Sequence, residues 1–186
     1  YWRHDMRHMF RLLVAFAREG ESEKCLELLR DMDERIVETR AVHYCDNVTL
    51  NGVLSGCAAI AQRENVKYTC QADAPAQLCQ TNEFALAAVL SNLVENAINA
   101  ASKAEGEHWV SVHILPVKGQ LRLEVRNTYA GEITISPQTG LPQTTQGEKH
   151  GFGLQSVQAF CERYKAVFHY TTEADHVFRV TLLTDQ

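Results

Sequence analysis

The chain has 186 residues, enough for one good hydrophobic core or for a core domain with a small satellite. Its formal net charge is −5 and no basic stripe runs through it, so no direct nucleic-acid contact is expected. No apolar run approaches the roughly 18 residues that read as a membrane span, and no secretory leader is visible. The sequence opens inside an apparent helix without an initiator Met, so it reads as a fragment, and membrane attachment is expected only through a missing N-terminal region. Cys25, Cys45, Cys57, Cys70, Cys79 and Cys161 show no CxxC pairing, and they read as reduced, half-buried thiols of a cytosolic protein.

Residues 1 to about 40 form two helical segments broken at Gly20. Trp2, Met6, Met9, Leu13 and Phe16 recur in steps of four and three, and Cys25, Leu29, Met32 and Ile36 do the same. Phe10, Leu12, Val14, Leu26 and Leu28 add apolar surface beside these seams. Two antiparallel helices of this length cannot bury both faces alone. The expected solution is a four-helix bundle from two copies, a homodimer through residues 1–40.

With Trp2 and Met9 at d positions of the heptad, His4 takes an f position, facing away from the partner helix. Arg11 and Arg18 follow it at seven-residue steps, and Arg7 and His8 sit one turn on. A solvated basic face explains that pattern. So does a nucleophile, because Arg3-His4-Asp5 sets a carboxylate beside an exposed imidazole in a basic surround. Both readings stand at this point.

From about Val42 the heptad steps end. Residues 49–64 read as a helix with small apolar residues on its inner side, and 66–71 alternate like a strand ahead of a loop through Pro75. A helix follows from about Asn82 to Lys103. On it Asn92, Glu95, Asn96 and Asn99 fall at i, i+3, i+4 and i+7, while Leu90, Leu93, Val94, Ala97 and Ala101 supply apolar side chains. An ordinary solvated helix favours long charged residues over Asn. Short oxygen ligands on a rigid helix suit a hard cation such as Mg2+, which shares itself between water and phosphate.

Residues 109–117 and 120–127 alternate apolar and polar on either side of Lys118-Gly119, which implies a sheet with one covered face. Residues 128–150 break all periodicity and read as a lid or as disorder. His150-Gly151-Phe152-Gly153-Leu154 then opens a helix to about Tyr164. Glycines there leave backbone N–H groups open to a phosphate at the positive end of the helix dipole. Strands at about 166–172 and 176–183, joined by a turn at 173–175, close the chain.

Three of these stretches fit one pattern. Asn92-Leu93-Val94-Glu95-Asn96-Ala97-Ile98-Asn99 resembles the N box of the GHKL superfamily, and Gly151-Phe152-Gly153-Leu154 resembles its second glycine box. Arg3-His4-Asp5-Met6-Arg7-His8 resembles the phosphoacceptor motif of peptide-sensing bacterial histidine kinases. The resemblance covers essentially the whole chain. It implies an α+β protein: a dimerisation and phosphotransfer hairpin at 1–41, then at 42–186 an ATP-binding α/β sandwich, whose mixed sheet has helices on one face and whose lid spans 128–150.

It further implies the cytoplasmic transmitter of a membrane-bound sensor kinase. Mg2+ and ATP are the expected cofactors, with Asn96 as metal ligand and Asn92 and Asn99 lining the same site. An amide at position 92 cannot serve as a base, which fits transfer to His4 rather than hydrolysis. Asp5 would orient or deprotonate His4, and Glu95 is the nearest carboxylate on the helix. The first glycine box departs from the family's Asp-x-Gly-x-Gly: Asn127 replaces Asp, Tyr129 replaces the first Gly, and Gly131 keeps the second. An Asn carbonyl can still accept from the adenine amine. Lys149 and His150 would reach phosphates from the lid, together with Gly151, Phe152, Gly153 and Leu154. The phosphoryl group would pass from His4 to an aspartate on a response regulator receiver domain, with His8 as the rival acceptor. Two alternatives are a degenerate phosphotransfer or binding module that has lost ATP turnover, and an anti-sigma-type kinase, against which the His-bearing hairpin speaks.

Overall fold

The computed structural model describes residues 2–32, 42–135, 142–144 and 152–185. The chain divides into two compact units, Tyr1–Arg40 and Ala41–Gln186.

In the first unit, α1 (Trp2–Arg18) and α2 (Ser22–Met32) are joined by a tight turn. Glu21 N–H donates to the Phe16 carbonyl at 2.9 Å and Gly20 N–H to that of Ala17 at 3.3 Å, which satisfies the last carbonyls of α1. The turn needs Gly20 in the left-handed region, and its φ is 73°. The seam residues Met9, Leu13, Phe16, Cys25 and Leu29 are half-buried, and the Cys25 thiol donates to the Leu13 carbonyl at 3.8 Å. Phe10, Leu12 and Val14 stay exposed.

The second unit runs α3 (Val48–Arg63), β1 (Lys67–Ala72), α4 (Glu83–Ala101), β2 (Trp109–Val117), β3 (Gln120–Thr128), β4 (Ile133–Ile135), β5 (Pro142–Thr144), α5 (Phe152–Tyr164), β6 (Val167–Glu173) and β7 (Val177–Asp185). Five strands form one sheet in the order β1-β2-β3-β7-β6. Only β1 and β2 pair in parallel, and α4 is the crossover such a pair requires. Each remaining neighbour in that sheet is antiparallel, so the sheet is mixed as expected. Lys118 and Gly119 both take positive φ in the two-residue turn between β2 and β3, the geometry that matches strand twist.

Alternation along the strands sends Val110, Val112, Ile114, Leu121, Leu123, Val125, Val180 and Leu182 into one buried layer. The helices α3, α4 and α5 pack against the strands. By length and hydropathy α4 could cross a bilayer, but half of it is buried in this layer, which makes it the core helix. The stretch expected to be a lid or disorder carries a short ribbon: β4 and β5 pair antiparallel, Ile133 opposite Thr144 and Ile135 opposite Pro142. Three-residue strands are too short to show a period in sequence, so β-branched Ile133, Thr134 and Ile135 passed as loop. The rest of the expected lid, 136–141 and 145–150, lies outside the described residues.

Two caps set where the layer's helices begin. The Asn47 carboxamide oxygen accepts from Leu50 N–H at 2.9 Å, and that of Asn82 accepts from Ala85 N–H at 2.9 Å. Asn47 is fully buried, and its amide donates to Glu83 Oε2 at 3.1 Å, while the Thr49 hydroxyl donates to Glu83 Oε1. One carboxylate thus ties the starts of α3 and α4 together. Asn47→Ala removes the cap and strands buried partners, and its expected loss is about 2–3 kcal/mol of unfolding free energy, read from urea denaturation.

Every described cysteine is free; Cys79 is exposed where a half-buried thiol was expected. Burial pushes the Cys57 thiol up to about 12, helped by the charge of Glu95, and the Cys70 thiol up to about 11. Unfolded, both ionise near 9.0, so their contribution to stability is complete below that pH and disappears as the pH rises through about 11 to 12. At pH 8 a thiol-specific disulfide reagent is expected to label Cys79 at the rate of a free thiol and Cys57 only as the chain unfolds. Rapid native labelling of Cys57 contradicts this.

Candidate functional site

A cleft of about 910 Å³, counting its open mouth, lies in the second unit between α4 and the sheet. Alternation along β3 puts Val125, Asn127 and, one step past the strand, Tyr129 on the helix-covered face. Phe178, the cross-strand partner of Asn127, and Val180 complete this floor. The wall from α4 holds Leu93, Asn96, Ala97, Asn99 and Ala100, with Lys103 in the turn just past its end. Ala130, Ile133 and Pro142 line the cleft from the segment after β3, and Leu154 from the first turn of α5.

The polar groups are few and placed. Asn127 is almost fully buried, and its amide donates to the Thr128 carbonyl at 2.8 Å. That bond leaves the side-chain carbonyl oxygen as the acceptor offered to the cleft. Asn96 is half-buried and, among the described residues, its amide makes no hydrogen bond, so the group is open to a ligand. Asn99 stands exposed at the rim, and Lys103 is the cation on this wall. No cluster of three His, Cys, Asp or Glu that could hold a metal occurs among the described residues. A neutral amide oxygen such as that of Asn96 suits a hard cation that brings other oxygens with it, as Mg2+ on a phosphate chain does.

The expected stripe on α4 is split. The Asn92 amide lies at the edge and donates to Ser156 Oγ of α5 at 3.1 Å, so it joins the two helices and is not among the lining residues. Glu95 does not reach the cleft at all. With about 100° per residue it sits a quarter-turn from Asn96. Its Oε1 accepts from Ser91 at 2.6 Å, and its charge is felt by Cys57 on α3. Gly131, with φ of 75°, turns the chain beside Ala130. Phe152 and Gly153 are the first residues of α5, ahead of Leu154, while Lys149, His150 and Gly151 lie outside the described residues. His4 and Asp5 belong to α1 in the other unit, and their side chains lie outside the described residues.

Sequence reasoning missed Lys103, Tyr129 and Phe178 as lining residues. Lys103 is seven residues past Asn96, so extending the stripe by two turns finds it. Tyr129 stood only as a departure from a pattern. Phe178 needs the β3–β7 pairing, which no local signal provides.

A family model described as "GHKL domain" matches residues 81–184, more than half of the chain. Its limits, Thr81 and Thr184, meet in the fold with their hydroxyls 3.0 Å apart. No curated protein matches the chain. Among solved structures, the chain is similar to a nucleotide-free form of the catalytic domain of histidine kinase ThkA. Identity is 16%, the match covers 75% of this chain and 90% of that one, and the TM-score is 0.57. It is also similar to the histidine kinase domain of a blue-light activated histidine kinase from Erythrobacter litoralis, at 18% identity, covering 87% of this chain and 70% of that one, with TM-score 0.55. At these identities the likeness is one of fold.

Proposed function

The chain belongs to the GHKL family, and on that premise we propose that it is the transmitter of a peptide-sensing histidine kinase, which phosphorylates itself on His4. The observation that carries the reading is the cleft itself: Asn96, Asn99 and Asn127 converge there with the first turn of α5. Adenine enters over the sheet, and its amine donates to the Asn127 carbonyl oxygen. The phosphates run toward Asn96 and the glycine-opened start of α5. Asn96 would hold Mg2+, which when bound neutralises phosphate charge. Glu95 has no part, being turned from the cleft.

The His4 Nε2 lone pair attacks the γ-phosphorus in line. An N–P bond forms as the bond to the bridging oxygen breaks, ADP leaves, and the Nδ1 proton passes to Asp5. Catalysis is positioning and charge stabilisation rather than covalent work by the ATP site. The phosphoryl group then moves to an aspartate of a response regulator receiver domain. The exposed Phe10, Leu12 and Val14 beside a half-buried seam support a hairpin that closes against a second copy. The whole would work on the cytoplasmic side of a membrane-bound sensor.

A second reading, a phosphotransfer or binding module that no longer turns over ATP, draws on Asn127 where the family pattern has Asp. Mg·ATP at about a hundred times Kd is expected to add about 2.7 kcal/mol of stability, seen as a raised Tm. No shift favours the second reading. With γ-labelled ATP, an acid-labile, alkali-stable label is expected on the wild type and on His8→Gln, and none on His4→Gln. Undiminished label on His4→Gln removes His4 as acceptor.

A further inference from the structure

Tyr129 has no part in the reading above, yet its setting is specific. It lines the cleft directly after β3, on the same pleat as Asn127. Its N–H donates to the His176 carbonyl at 3.1 Å, and its ring lies 5.4 Å from the His176 ring at an interplanar angle of 51°. The turn that presents His176 is strained: Asp175 and His176 take φ of 61° and 54°, a left-handed conformation that L side chains adopt at a cost. Strain in two successive residues is spent on a turn whose inner contacts are the backbone and ring of Tyr129.

The facing wall explains what the ring can do. Ala97 and Ala100 carry no flat surface there, so among the described lining residues a planar ligand finds aromatic rings only on the strand side, where Tyr129 and Phe178 flank Asn127. Tyr129 is only half-buried, so ring surface remains for a ligand. We infer that Tyr129 is a stacking platform for the base of the bound nucleotide, held by His176, and that it sets preference for a purine over a smaller base. The inference rests on the nucleotide reading and adds a specificity-determining residue to that site. Stacking is worth most for the larger ring system, because contact area scales the attraction.

The test titrates the full chain calorimetrically with Mg·ATP and Mg·CTP, which share a triphosphate and an exocyclic amine but differ in ring area. Tyr129→Leu is expected to weaken ATP about tenfold or more and CTP by less than about threefold, whereas Tyr129→Phe stays within about twofold for both. His176→Ala, which leaves the lining residues in place, is expected to shift the ATP-to-CTP ratio in the same direction, and it reads the split should Tyr129→Leu not fold. Tyr129→Leu binding ATP as wild type does, or equal losses for ATP and CTP, overturn the platform. A wild type that binds neither nucleotide overturns the nucleotide reading and the platform with it.

Discussion

The burial of α4 is the constraint on which the site depends. Leu86, Val89, Leu90, Leu93, Val94, Ala97 and Ile98 are all enclosed against the sheet and its flanking helices. An apolar surface this wide leaves the helix one orientation about its axis. A turn of one residue, about 100°, would drive amides into the core without partners and lift aliphatic side chains into water. That orientation sets Asn96 and Asn99 on the side of the helix that lines the cleft. The site follows from a packing solution, and the helix that carries its amides is fixed by the core beneath it.

Position along the axis is set by different means. Glu83 accepts from both Asn47 and Thr49, which ties the N-terminus of α4 to that of α3. Thr81, just before the helix, donates to the Asp185 carbonyl at 2.6 Å and meets Thr184, which ties the same point to the end of β7. The edge contact of Asn92 with Ser156 adds α5. Each bond is modest alone. Together they bring the start of α4, the last strand and the glycine-opened helix into one frame, so the cleft has a floor and walls that cannot slide independently.

Much of the fold was legible because it obeys two short periods. Apolar periodicity placed α3 and α4 within a residue or two, alternation placed β1, β2 and β3, and glycines marked the start of α5. The site was legible in part. Asn96, Asn99, Asn127 and Leu154 do share the cleft, while Asn92 is drawn to Ser156 and Glu95 accepts from Ser91. Residues at i, i+3, i+4 and i+7 share a face only to within a quarter-turn, and spacing alone does not say where the edge of the cleft falls. The glycine box departs from its pattern at Tyr129, which in the fold is a ring on the cleft floor.

The sequence by itself determined the elements, the caps at Asn47 and Asn82, the Gly20 turn and the supply of amides, since these depend on neighbours a few residues away. Tertiary structure decided which of those groups meet. Pairing of β3 with β7 brought Phe178 beside Asn127, and the turn at Asp175 and His176 came to back Tyr129, contacts between residues some fifty positions apart. Such meetings follow from how a whole layer packs, and no local period in the chain encodes that.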